Sequence, residues 1–254
     1  MRDLFFKIFG DKYTDNPTPL FGLVHILLII FAIGGAIALS ILLRNKSDKV
    51  KDRTLKVSAL IVISLYIFDF FVQPFWNGGV MYEGKLPFHI CTLTGILLTF
   101  VTFSKKFEKL KVIVAVWAAL APTAFILFPV TLIDSEVSIF SYSKIQSFLY
   151  HSVEAFWGIF MLISGKARLE WKTLWQPIVA LFPMAIWATI GQEMFYPNEP
   201  GENFLMLRLD LQEMGLNMER WVFLVLLFLI ASSVIALLYL ACNLIYKFKK
   251  KRTV

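Results

Sequence analysis

The stretch TPLFGLVHILLIIFAIGGAIALSILLRNKSDKVKDRTLK, residues 18–56, decides the fold. Its first part, 18–43, holds one ionisable side chain, His25; its second part holds Arg44, Lys46, Lys49, Lys51, Arg53 and Lys56. At about 1.5 Å of rise per residue the first part is long enough, as a helix, to cross about 30 Å of hydrocarbon. A basic segment that follows such a span is retained on the cytoplasmic side. The chain therefore enters the membrane from outside and emerges within.

The same alternation governs the rest of the sequence. Apolar runs lie at about 18–43, 56–76, 87–104, 112–130, 145–164, 173–195 and 220–246. Lys105, Lys106, Lys109 and Lys111 follow the third run, Lys166, Arg168 and Lys172 the fifth, and Lys247, Lys249, Lys250, Lys251 and Arg252 the seventh. With the first segment these hold 18 of the 25 basic residues, so every second connection is cytoplasmic. Trp76, Tyr82, Tyr196 and Trp221 mark the predicted outer boundary, and Trp171, Trp175 and Tyr246 the inner one. The expectation is an all-α membrane protein: one domain over 1–254, a single bundle of seven transmembrane helices, with the N-terminus outside and the C-terminus cytoplasmic.

Composition agrees, because 58% hydrophobic against 17% charged residues is too apolar for a soluble domain of 254 residues. The net charge of +7 is accounted for by cytoplasmic loops facing anionic headgroups, which names membrane lipids as partners and excludes nucleic acid. No protein partner is identified by these residues. No phosphate-cradling glycine loop and no Gly-x-Ser-x-Gly turn is present, which excludes ATP-driven chemistry. The charged segment Met1–Asn16 lacks a small-residue cleavage site, so the first span reads as an uncleaved anchor. Cys91 and Cys242 fall at opposite ends of their spans, which excludes a disulfide between them. Pro122, Pro129, Pro177 and Pro183 are expected to bend spans four and six, and Gly34 and Gly35 to be close-packing positions.

Polar residues inside the runs gather at one depth. His25, Asp69, Gln73, His89, Cys91, His151, Glu154 and Gln192 all lie in the outer parts of their spans, within about 15 Å of the outer surface by the helical rise. A charged group in hydrocarbon costs several kcal/mol unless paired or hydrated, so the pattern predicts a polar chamber open outward. Spacing sorts the members: Asp69 and Gln73 share a face at i and i+4, and His151 and Glu154 at i and i+3. In a regular helix His89 and Cys91 diverge by roughly 200°, whereas Thr92 shares the His89 face; Pro87 suits the first helical position. Catalytic candidates are His89 and His151 as bases, Cys91 or Thr92 as nucleophile, and Glu154 or Asp69 to orient a histidine. Binding candidates are His25, Asp69, Gln73, which could stabilise an oxyanion, and Gln192, joined by Asn203 of the outer loop. No His-x-x-x-His or Cys-x-x-Cys spacing occurs, so neither a metal nor a cofactor is expected. Against the enzyme stand two other readings of the same residues: a transporter or small-molecule binding protein, and a non-catalytic scaffold.

The segment Leu86, Pro87, Phe88, His89, Ile90, Cys91 resembles the Leu-Pro-x-His-x-Cys signature of the YwaF-like bacterial integral membrane proteins, distant relatives of transmembrane protein 164. His25, His151 and the stretch Asn203, Phe204, Leu207 are similar to further positions of that family, so the likeness covers nearly the whole chain. It implies a multi-pass protein of the bacterial plasma membrane. The animal relative is an acyltransferase that moves fatty acyl groups between phospholipids through a cysteine acyl-enzyme, which implies a lipid acyltransferase or acyl hydrolase here. In the animal branch the catalytic cysteine immediately precedes the motif histidine; the matching position in this chain is Phe88. If the activity persists, Cys91 or Thr92 takes that role.

Overall fold

The computed structural model describes residues 9, 10, 12, 14, 18–76, 86–129, 137–195 and 217–251. Among them the chain is helical without a strand. Seven helices follow the apolar runs: α1 Leu23–Leu43, α2 Asp48–Trp76, α3 Ile90–Phe103, α4 Lys111–Leu127, α5 Tyr142–Ile163, α6 Trp171–Phe195 and α7 Arg220–Lys251. Five of these, α1, α2, α6, α7 and α4 with its leading turn from Lys105, are long and apolar enough to cross a membrane.

The two that fall short do so for different reasons. Helix α3 is shorter than its run because the backbone from Leu86 to His89 forms a turn rather than a first helical turn. Pro87 is therefore outside the helix, and its carbonyl accepts the Trp187 indole N–H at 2.7 Å. Helix α5 has the length, at 22 residues, but carries Lys144, His151 and Glu154. Its packing explains where these groups go. Helices α1, α2 and α4 all pack on α5, which buries Gln146, Tyr150, Glu154, Trp157, Phe160 and Met161 among other residues. On the face of α5 that packs on other helices, polar groups meet side chains and backbone of the protein itself.

The chain divides into two compact units, residues 1–86 with 91–167 and residues 87–90 with 168–254. In the first, α4 and α5 make the closest approach. A side chain at Gly158 of α5 would overlap the backbone of Ala118 and Ala119 on α4. Pro122 lacks the N–H that would bond the Ala118 carbonyl, yet α4 runs on through it. Ala32 of α1, Ile126 of α4 and Ala155 of α5 form a small apolar core beside this contact, flanked by Ile29, Ile33, Phe148 and Ile159. At the far end of α5, Lys166 reaches Asp52 at 2.7 Å and Asp48 at 3.2 Å on the first turns of α2.

Helix α1 contains a π-helical turn, Ile30–Gly34. Gly34 and Gly35 are exposed, and among the described residues no other helix approaches them. The close-packing expected of the pair is not found; the glycines sit instead where the helix changes pitch, a place that tolerates missing side chains.

In the second unit, α6 is broken at Ala180, between Trp175–Val179 and Leu181–Phe195. Pro183 causes the break, because it has no N–H for the Val179 carbonyl and its ring crowds that residue. Tyr239 of α7 is fully buried and exchanges hydrogen bonds with Thr173, its hydroxyl lying 3.1 Å from the Thr173 carbonyl. Asn243 donates to the Leu169 carbonyl at 3.0 Å. Trp171, Trp175 and Trp221 are exposed; the side chain of Trp76 and residues Tyr82 and Tyr196 lie outside the described residues.

Candidate functional site

One line of side chains on α5 organises the polar interior. Tyr142, Gln146, Tyr150 and Glu154 follow one another at intervals of four residues, so they form a single stripe along the helix. The first three members of the stripe each meet a different partner.

Tyr142 interacts through its hydroxyl with Asp69 of α2, and Gln146 donates to the Leu65 carbonyl of α2 at 3.3 Å. Asp69 and Gln73 are both buried, one turn apart on α2, as their spacing predicts. Tyr150 donates to the carbonyl of Cys91 on α3 at 3.2 Å. Glu154 is fully buried, and neither carboxyl oxygen has a hydrogen-bond partner among the described residues. Cys91 lies close enough to Glu154 and to Tyr150 for charges on these groups to interact, and Tyr66 of α2 is within the same range of Tyr150. The Glu154 carboxyl and the Tyr150 phenol are thus buried together on α5, with the partly exposed Cys91 and Tyr66 within electrostatic range. Thr92 follows Cys91 on α3 and is partly exposed.

The three histidines go three ways. His25, on the first turn of α1, is buried and uses both ring nitrogens on backbone. Its Nδ1 accepts the Phe21 N–H at 3.0 Å, which leaves the proton on Nε2, and Nε2–H donates to the Ile126 carbonyl of α4 at 3.0 Å. The contact ties α1 to α4 and supports Phe21, whose φ of 58° is one that side chains rarely adopt. The Phe21 ring also meets Phe128 edge-on at 5.8 Å.

His151 stacks on Phe125 of α4 with ring centroids 3.8 Å apart. Its Nδ1 donates to the Ser147 carbonyl at 2.7 Å, so a neutral ring carries its acceptor lone pair on Nε2. The Glu154 carboxyl, one turn on, makes no hydrogen bond to it; the Ser147 carbonyl does the orienting that the sequence assigned to a carboxylate. His89 is in the turn ahead of α3 and belongs to the second unit, so the helical angle separating it from Cys91 does not apply.

In that unit Phe88 is buried in a hollow of α6. A side chain at Gly191 would overlap the Phe88 ring, which also lies 5.1 Å from Trp187 and 5.9 Å from Phe195, centroid to centroid. Gln192, the next residue on α6, is buried with neither amide atom bonded among the described residues. Asn203, with Phe204 and Leu207, lies outside the described residues.

The sequence reading missed Tyr142, Tyr150 and Tyr66. Tyrosine in a membrane run reads as an interfacial anchor, and only the four-residue spacing with Gln146 and Glu154 could have drawn two of them inward. Among the described residues no group of three or more His, Cys, Asp and Glu side chains could hold a metal ion. Both cysteines are free thiols.

Residues 20–240 match the TMEM164 family. No curated protein and no solved structure matches the chain.

Proposed function

We propose, from the premise that the chain belongs to the TMEM164 family, that it is a membrane enzyme of lipid acyl transfer or acyl hydrolysis. In this reading all seven apolar runs cross a bacterial plasma membrane as one domain, with the N-terminus outside and the C-terminus in the cytoplasm. The observation that carries the chemistry is the gathering of Cys91, Tyr150 and Glu154 where α3 meets α5.

Each group has a role the reaction needs. The Cys91 sulfur attacks the ester carbonyl of an outer-leaflet lipid, and its proton passes to a histidine, with His151 and His89 the candidates. The new S–C bond leaves a thioester; the ester C–O bond breaks, and the departing alkoxide recovers the proton from the histidine. Water or a lysolipid hydroxyl then gives its proton to the histidine and attacks the thioester; the C–S bond breaks, the Cys91 thiolate recovers that proton, and a fatty acid or a new ester leaves. Gln73 and the protonated carboxyl of Glu154 donate hydrogen bonds to the reacting carbonyl oxygen inside an apolar site, where such contacts are worth most. Thr92 is the alternative nucleophile. Asp69 is the further polar group of this unit that the proposal includes; Gln192 and Asn203 remain binding candidates from the sequence alone, and His25 is assigned to holding α1 on α4.

The test is incubation of the full-length protein, in lipid nanodiscs, with phospholipids labelled in the acyl chain. Labelled fatty acid or exchanged lipid is expected from the wild type and is lost in Cys91→Ala, with Thr92→Val active. Wild-type inactivity across phospholipid classes sinks the enzyme reading.

One observation favours a second reading. A fully buried carboxyl without a hydrogen-bond partner among the described residues, as at Glu154, is also what a proton-carrying membrane transporter keeps in its interior. Solute flux into proteoliposomes that is abolished by Glu154→Gln, with no lipid turnover, would select it. Simultaneous loss of stability alone, in His89→Ala with His151→Ala, would leave a scaffold.

A further inference from the structure

We infer that Tyr150 is a positioning residue of this site, holding the first turn of α3, and with it Cys91, against α5. The inference rests on the proposed role of Cys91 and deepens it.

Helix α3 is fastened to α5 at two points. At its N-terminal end the Tyr150 hydroxyl donates to the Cys91 carbonyl at 3.2 Å; at its C-terminal end the Trp157 indole N–H donates to Thr102 Oγ1 at 3.1 Å. The two anchors lie seven residues apart on α5 and so share a face. Cutting one leaves the other in place.

The Tyr150 tie is not needed to complete the backbone of α3. In a regular helix the Cys91 carbonyl already accepts the Gly95 N–H, so the phenol is a second donor to the same oxygen. The hydroxyl has been given a dedicated seat: any side chain at residue 95 would overlap it, and glycine stands there. The ring is 6% exposed and meets the His151 ring at 81°, with centroids 5.4 Å apart. Tyr150 is thus placed against the Cys91 backbone, the Gly95 notch and His151 at once, one turn ahead of Glu154. Such a clamp sets where the Cys91 side chain points without touching the reacting atoms.

Thiol reactivity tests this without reference to catalysis. In full-length protein carrying Cys242→Ser, Cys91 is the remaining thiol, and its alkylation by N-ethylmaleimide in nanodiscs can be followed by mass. Tyr150→Phe is expected to raise the alkylation rate about fivefold, the change in population that one lost hydrogen bond permits. Gly95→Ala, which displaces the hydroxyl but keeps it, is expected to do the same. Trp157→Phe, which cuts the other anchor, should leave the rate within about twofold of wild type. Tm of Tyr150→Phe should stay within about 3 °C of the parent. Equal rates in the parent, Tyr150→Phe and Gly95→Ala overturn the inference, and so does a rise in Trp157→Phe that matches theirs, since that reports general loosening. Faster alkylation in a protein that turns over no lipid upholds the clamp while the proposed enzyme activity fails.

Discussion

Helices α5 and α7 invert a habit learned from water-soluble proteins. Between Trp221 and Tyr246, α7 has no charged residue, yet only 6% of its apolar window is buried. Helix α5 carries a lysine, a histidine and a glutamate and is too polar to register as a membrane span, yet Glu154, Trp157 and Phe160 on it are wholly buried. In a bilayer the apolar helix is the one that faces the solvent, because the solvent is hydrocarbon. The polar residues of α5 lie instead on a face packed against other helices.

The comparison can be broken most severely at Gly158. Leucine there must displace the α4 backbone at Ala118 and Ala119, and is expected to cost about 3 kcal/mol or to prevent folding. Leu237→Ala, on an exposed face of α7, is expected to change stability by less than about 0.5 kcal/mol. Thermal unfolding in nanodiscs measures both, and comparable losses would remove the distinction between the two helices.

Glu154→Met sharpens the comparison, since it asks whether the buried carboxyl serves stability at all. Replacing an unpartnered buried polar group by an apolar one of similar volume is expected to raise stability by about 1 to 3 kcal/mol and to abolish lipid turnover. A lower Tm would show that the carboxyl fastens the bundle.

The smallest effect belongs to Lys166. Burial is the largest single influence on its ammonium and pulls it down, but hydrogen bonds and charges from Asp52 and Asp48 together outweigh it and hold the group above its ordinary range. Its stabilisation is therefore full below the ordinary lysine range and is lost as pH rises through the elevated folded value. Both aspartates are solvent-exposed, so Lys166→Met should cost less than about 1 kcal/mol at neutral pH, with the gap closing in strong alkali. Unfolding midpoints of the two proteins across pH check the sign.

The long apolar helices were legible because length and the absence of charge are one-dimensional properties. The site was legible only in part, because depth is one-dimensional too and direction is not. Counting residues inward put three histidines at one level, but His25 turns to the backbone of α4, His151 to Phe125, and His89 lies in a turn that ends before α3 begins. Cys91 and Glu154 were both picked out, but the tie between their helices, the Tyr150 hydroxyl on the Cys91 carbonyl, depends on α3 lying beside α5, which no spacing within either helix reveals. Tyr150 escaped because its importance comes from Gly95, fifty-five positions away in sequence.

The Phe88 ring occupying the hollow above Gly191 links two positions that are far apart in the chain. A protein of this family with cysteine in place of Phe88 has no ring to fill that hollow, and one with a bulkier residue in place of Gly191 has no room for it. Positions 88 and 191 are thus expected to vary as a pair across the family, and the exchange of bulk between them would tell, relative by relative, which chains have given this corner to packing and which have kept it for chemistry.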